Sequence, residues 1–116
     1  VDLQKHLSAI TENELIKIID EISIPRHFHS NAKNNRYVAD WIFAKLNSYG
    51  YETHFQGAYS NIIALNRNVK SSSRILIGAH YDSVPDCPGA DDNASAIASL
   101  IICAKAVSEF APHIPI

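Results

Sequence analysis

The 116 residues hold 10 Lys and Arg against 12 Asp and Glu, a net charge of −2, and 47% of them are hydrophobic. That length suits one domain with a modest core, and the balanced, interspersed charge argues against a surface built for nucleic acid or anionic lipid. No apolar run approaches a membrane span, no stretch reads as a signal peptide, and Val1 in place of Met reads as a processed or excised piece.

From the N-terminus, residues 1–9 suggest a short helical turn. Thr11-Glu12-Asn13-Glu14 is a capping box, in which Thr11 caps and Glu14 reaches back. Leu15, Ile18, Ile19 and Ile22 follow at helical spacing, so a helix runs to about Ile22, and Pro25 ends it. The segment Pro25-Arg26-His27-Phe28-His29-Ser30 reads as an ordinary surface loop. His27 and His29 have no matching acid nearby and are set aside as ligands.

A second helix is expected over 32–49. Its apolar stripe is Tyr37, Val38, Trp41, Ile42 and Leu46, with Gly50 just past its end. Trp41 falls inside the stripe and reads as core. Tyr51-Glu52-Thr53-His54-Phe55 alternates as a half-buried strand with His54 toward solvent, and Asn61-Ile62-Ile63-Ala64-Leu65 pairs back on it as a hairpin. Residues 74–79 contain Ile75-Leu76-Ile77 and read as a buried central strand. The last helix is expected from about Asn93 to Phe110 and is apolar on more than one side, with Pro112 as its stop. Residues 114–116 look like the approach to another strand. The fold class is α/β, with helices packed on a twisted mixed β-sheet of which about three strands lie in this chain. Of the two cysteines, Cys103 reads as a buried thiol and Cys87 as exposed in a loop. Their spacing matches no cysteine-based zinc motif.

The chemistry concentrates in 78–96, GAHYDSVPDCPGADDNASA. A strand that ends in His80 is followed by a short loop and then by Asp91 and Asp92 at the mouth of a helix. Alternate residues of a strand share a face, so His80 and Asp82 point together and Tyr81 points away. Asp82 can accept the second ring N–H of a ligating His80, which fixes its tautomer. Asp91 and Asp92 are consecutive and cannot share a face, so only one of them ligates. Neutral imidazole with carboxylate suits zinc. Taken singly, each residue is better explained as a strand-end histidine or as helix N-terminal acids. Taken together, they read as a metal site at the carboxyl end of a strand, where α/β folds bind ligands.

The stretch resembles the metal-binding core of the dinuclear zinc aminopeptidases, metallopeptidase family twenty-eight. That family's pattern is an apolar strand, G-x-H-x-D-S, a variable loop, and G-A-D-D-x-A-S-G. Here the halves read Gly78-Ala79-His80-Tyr81-Asp82-Ser83 and Gly89-Ala90-Asp91-Asp92-Asn93-Ala94-Ser95-Ala96. Asn61-x-Ile63-Ala64 also resembles the family. The resemblance implies His80 as a zinc ligand, Asp82 as the acid that orients it, and Asp92 as the carboxylate that bridges two zinc ions. It also implies a cis peptide at Asp92–Asn93 and a mostly structural role for the Pro-Arg loop.

Two departures stand out. Ala96 replaces the usual glycine. The family's remaining ligands and general base, a Glu-Glu pair, a later aspartate and a late histidine, have no counterparts here. Glu109 is the only acid after Asp92, and His113 is too near the motif. The resemblance therefore implies that 1–116 is the N-terminal part of a catalytic domain, inactive alone and completed by the domain's C-terminal half. The complete enzyme would take a peptide substrate, hydrolyse it from the free N-terminus, and carry two zinc ions. Family analogy favours a secreted or periplasmic location. Three alternatives remain. Dinuclear carboxypeptidase-like hydrolases share His80-x-Asp82 and Val84-Pro85, but their second acid lies further along. Glutaminyl cyclases share the fold and His-x-Asp-Ser, but have a single acid in the second motif. A non-catalytic interaction module would bind zinc only weakly.

Overall fold

The computed structural model describes residues 2–116. Among these, four helices and one antiparallel hairpin form the regular structure. Helix α1 (Leu3–Ser8) is capped by the Asp2 carboxylate, which accepts from the Lys5 main-chain N–H. Val1 lies outside the described residues. Helix α2 (Glu12–Ile22) begins as the capping box requires, with Thr11 Oγ1 accepting from the Glu14 N–H at 3.2 Å. The reciprocal half of the box is absent. Glu14 instead accepts from Lys105 Nζ at 2.8 Å, because the last helix brings a cation alongside it.

Helix α3 (Ala32–Ser48) ends at Tyr49, and Gly50 takes the left-handed φ of +89° that a side chain would resist. Within its stripe, Val38, Ile42 and Leu46 are buried, and Trp41 packs half-buried against the same core. Tyr37 departs from the expectation: it is exposed and bonds Glu21 through its hydroxyl. Strands β1 (Tyr51–Gln56) and β2 (Asn61–Asn66) pair antiparallel with Tyr51 opposite Asn66 and Gln56 opposite Asn61. His54 faces solvent, as the alternation requires. The hairpin packs on α3.

Helix α4 (Ser95–Phe110) completes the core. Its Ile97, Ala98, Ile101 and Ile102 meet Ile18 and Ile22 of α2 and Val38, Ile42 and Leu46 of α3. A wide turn over Ala90–Ala94 leads into it, broken from helical geometry at Asp92 and Asn93, whose shared peptide is cis. Continuous with that turn, Ala90–Phe110 is long and apolar enough by composition to cross a membrane, which corrects the expectation that no run approaches such a length. Here one side of it packs into the helical core.

Two further expectations are corrected. Residues 74–79 are not a strand, so the described residues hold two strands rather than three. Leu76 is 93% exposed, and Ile75 and Ile77 are about half exposed. An apolar run becomes a central strand only when neighbours pair with both of its edges. Here β1 and β2 pair only with each other, and the one main-chain bond from this run is Ile75 N–H to the Pro115 carbonyl at 2.9 Å. The tail that supplies this bond also lies by β2, where the Asn66 N–H reaches the Ile116 carbonyl. Cys103 is exposed rather than buried, because it lies on the side of α4 away from the helical core, and Cys87 is half-buried. Both are free thiols.

Candidate metal centre

His80 sits between two carboxylates. Its Nδ1 is 3.0 Å from Asp82 Oδ1, and its Nε2 is 3.0 Å from Asp92 Oδ1. All three side chains are open to solvent. Tyr81 points the other way, and its hydroxyl donates to the carbonyls of Tyr59 and Ser60. The i, i+2 relation of His80 and Asp82 therefore holds even without strand pairing. Asp91 and Asp92 diverge as their adjacency requires. Asp92 meets His80, whereas Asp91 contributes its main-chain oxygen to Ser95 Oγ at the start of α4.

If Nδ1–H donates to Asp82, the Nε2 lone pair faces the Asp92 carboxylate, and two lone pairs at 3.0 Å repel. A second ring proton or a cation between them resolves the repulsion. A ring nitrogen and a carboxylate oxygen on one zinc, each bound at about 2.0–2.2 Å, stand roughly 3 Å apart. The observed spacing therefore fits a zinc ion held by His80 Nε2 and Asp92. Among the described residues no group of three or more His, Cys, Asp or Glu converges on one point. Asp82 is on the far ring nitrogen from Asp92.

A residue that local sequence patterns do not reveal is bonded to both segments that carry these groups. Arg26, in the loop read as ordinary surface, is 0% exposed. Its Nε donates to the Tyr81 carbonyl at 2.6 Å, its Nη2 to the Gly89 carbonyl at 3.0 Å, and its Nη1 to the carbonyls of Ile24 (3.2 Å) and Pro88. Its main-chain N–H donates to Ser83 Oγ at 2.9 Å, and its carbonyl accepts from Asn35 Nδ2. Burial pulls its pKa below the usual arginine value, opposed by the nearby carboxylates of Asp82 and Asp92. No periodicity marks such a residue, since its partners beside the site, Tyr81, Ser83, Pro88 and Gly89, lie 55 to 63 positions away. The neighbouring histidines stay apart from the site. His27 Nδ1 accepts from the main-chain N–H groups of His29 and Ser30 in a local turn.

Beside the site, a cavity of about 640 Å³ opens between α3, α4, the hairpin and residues 77–82. Ile42, Leu46, Ile62, Leu100 and Ala104 form much of its wall, and His80 and Asp82 lie at its edge.

Residues 61–115 match Peptidase family M28. The matched region takes in both halves of the motif and covers a fragment of that family's domain. Arg26 lies outside it. The chain is 37% identical over 54 residues to the probable lipoprotein aminopeptidase LpqL of Mycobacterium tuberculosis, covering 47% of this chain and 11% of that protein. It is 39% identical over 64 residues to the uncharacterized protein YfbL of Escherichia coli, covering 48% of this chain and 20% of that protein. The chain thus spans about a tenth to a fifth of the length of these two relatives. No solved structure matches it.

Proposed function

We propose that the complete protein is a zinc-dependent aminopeptidase, and that residues 1–116 are the N-terminal part of its catalytic domain. The observation that carries this reading is His80 held between Asp82 and Asp92 inside the stretch that matches M28 peptidases. The aminopeptidase name of one relative supports it. In this reading the two-stranded hairpin belongs to a larger twisted mixed sheet of the zinc-peptidase kind.

In this reading His80 Nε2 and Asp92 would hold zinc, which their 3.0 Å spacing supports, and the family resemblance implies Asp92 as the carboxylate shared with a second ion. Asp82 accepts the His80 Nδ1 proton, which keeps Nε2 unprotonated and aimed at the metal. Zinc, when bound, supplies Lewis acidity toward the peptide carbonyl and brings the pKa of a water toward about 7. Two protein ligands are too few for tight binding, so the remaining ligands and the general base come from the C-terminal half of the domain. The chain alone is then inactive. The substrate is a peptide with a free N-terminus, nucleic acid is not a partner, and α4 is a core helix rather than a membrane span. The lipoprotein name of one relative favours a secreted or envelope location.

The test is hydrolysis of aminoacyl anilides by the full-length protein, before and after chelation and zinc restoration. Zinc-dependent hydrolysis of the anilide, lost in His80→Ala, is expected. Cyclisation of N-terminal glutaminyl peptides instead would make the protein a cyclase-like acyltransferase. Zinc-independent behaviour with no turnover would make it an interaction module.

A further inference from the structure

We infer that Arg26 is the positioning residue of the metal centre: one buried guanidinium sets the distance between the two segments that carry His80 and Asp92. The inference rests on the metal-site reading above but concerns a residue outside the region that matches M28 peptidases.

Three observations lead to it. First, among the described residues the segment that bears His80 pairs with no strand. Second, apart from the Tyr81 hydroxyl on the carbonyls of Tyr59 and Ser60, the bonds that hold it converge on Arg26. The guanidinium takes the carbonyl of Tyr81, between His80 and Asp82, and the main-chain N–H takes Ser83 Oγ. Third, the same guanidinium takes the carbonyls of Pro88 and Gly89, immediately before the turn that presents Asp92. Arg26 therefore ties the histidine segment and the aspartate segment to one rigid plane. The direct links between the two are the 3.0 Å approach of His80 Nε2 to Asp92 and the bond from Asn93 Nδ2 to the His80 carbonyl at 3.5 Å. The planar fork matters because its donors have fixed relative directions. A lysine carries its donors on one rotating centre and does not hold carbonyls on two segments in fixed relative directions.

Arg26 touches neither His80 nor Asp92 through its own hydrogen bonds, so its effect is on their separation. Groups that hold metal ligands in place typically change metal affinity by about 10- to 100-fold when removed. The expected effect of Arg26→Lys lies in that range. Ser83→Ala, which frees only the main-chain anchor, should act in the same direction and more weakly.

The experiment uses the full-length protein stripped of metal and titrated with cobalt(II), read by its visible absorption band. The ring-nitrogen NMR shifts of His80 are recorded on the metal-free form. Ile102→Val serves as a control that loosens the buried core without touching the clamp. Arg26→Lys should weaken cobalt binding about tenfold or more, alter the band, and move the His80 ring shifts. Ile102→Val should do none of these. Wild-type affinity, band and ring shifts in Arg26→Lys would overturn the inference. If Arg26→Lys does not fold, Ser83→Ala decides the question by the same readings. If the wild-type protein takes up no cobalt, the metal-site reading fails, and the His80 shifts still show whether Arg26 positions the ring.

Discussion

The Arg26 guanidinium donates to the Gly89 carbonyl at 3.0 Å, and Gly89 has no room for a side chain on the side facing that bond. A Cβ there would collide with the main-chain oxygen of Asp92 and stand 3.3 Å from the Arg26 guanidinium and 3.1 Å from Ser83 Cβ. Gly89 also has a left-handed φ of +58°. Gly89→Ala is therefore expected to cost about 1–3 kcal/mol through strain and displaced neighbours. Urea unfolding checks this, and an unchanged midpoint would contradict it.

Removing the Arg26 side chain orphans carbonyls as well as deleting a charge. Arg26→Met leaves the oxygens of Tyr81, Pro88 and Gly89 without their donor. Buried acceptors left unpaired cost about 1–3 kcal/mol each before the loop relaxes toward water. A net loss on the order of 3 kcal/mol is expected, measured by the same unfolding experiment. A loss below about 0.5 kcal/mol, the range of ordinary surface substitutions, would show that these bonds are dispensable.

Three tyrosines give the fold an alkaline limit. Burial raises the pKa of Tyr49, Tyr51 and Tyr81 above the usual phenol value, and the Tyr51 hydroxyl donates to the Ala104 carbonyl at 2.7 Å. A raised folded-state pKa means that the unfolded chain loses its proton first as pH rises. The stabilisation is complete below the unfolded pKa of about 10 and is lost as pH climbs through the folded value. Denaturant midpoints from these groups should be level through neutral pH and fall above about pH 10, less steeply in Tyr51→Phe. A variant with the same alkaline slope as wild type would show that Tyr51 does not set this limit.

In the core, Ile101 is fully buried among α2, α3 and α4. Ile101→Ala should cost about 2–5 kcal/mol, the range for truncating buried aliphatic side chains. Thermal or urea unfolding measures it, and a cost under about 1 kcal/mol would mean that α4 does not close the core.

Sequence patterns reveal whatever is governed by local rules. Thr11 caps α2 because its hydroxyl needs only the N–H three residues on. The stripe of Val38, Ile42 and Leu46 predicts α3 because helical spacing alone puts them on one side. The Asp92–Asn93 cis bond and the approach of Asp92 to His80 follow from family resemblance rather than from periodicity. Long-range pairing is not legible. Ile75-Leu76-Ile77 has the composition of a central strand, but strands also need edges to pair with. Glu14 fits a capping box, yet Lys105, 91 residues away, claims its carboxylate. Arg26 resembles loop charge because its acceptors are main-chain oxygens, which every residue carries and no sequence pattern marks.

The most direct measurement is the zinc content of the full-length protein, purified, equilibrated with zinc and dialysed, for wild type and His80→Ala. The expected result is about two zinc ions per wild-type chain, the number a bridged pair requires, and the loss of at least one in the variant. A wild-type protein that retains no zinc, or a His80→Ala protein with the wild-type content, would contradict the assignment of His80 and Asp92 as metal ligands.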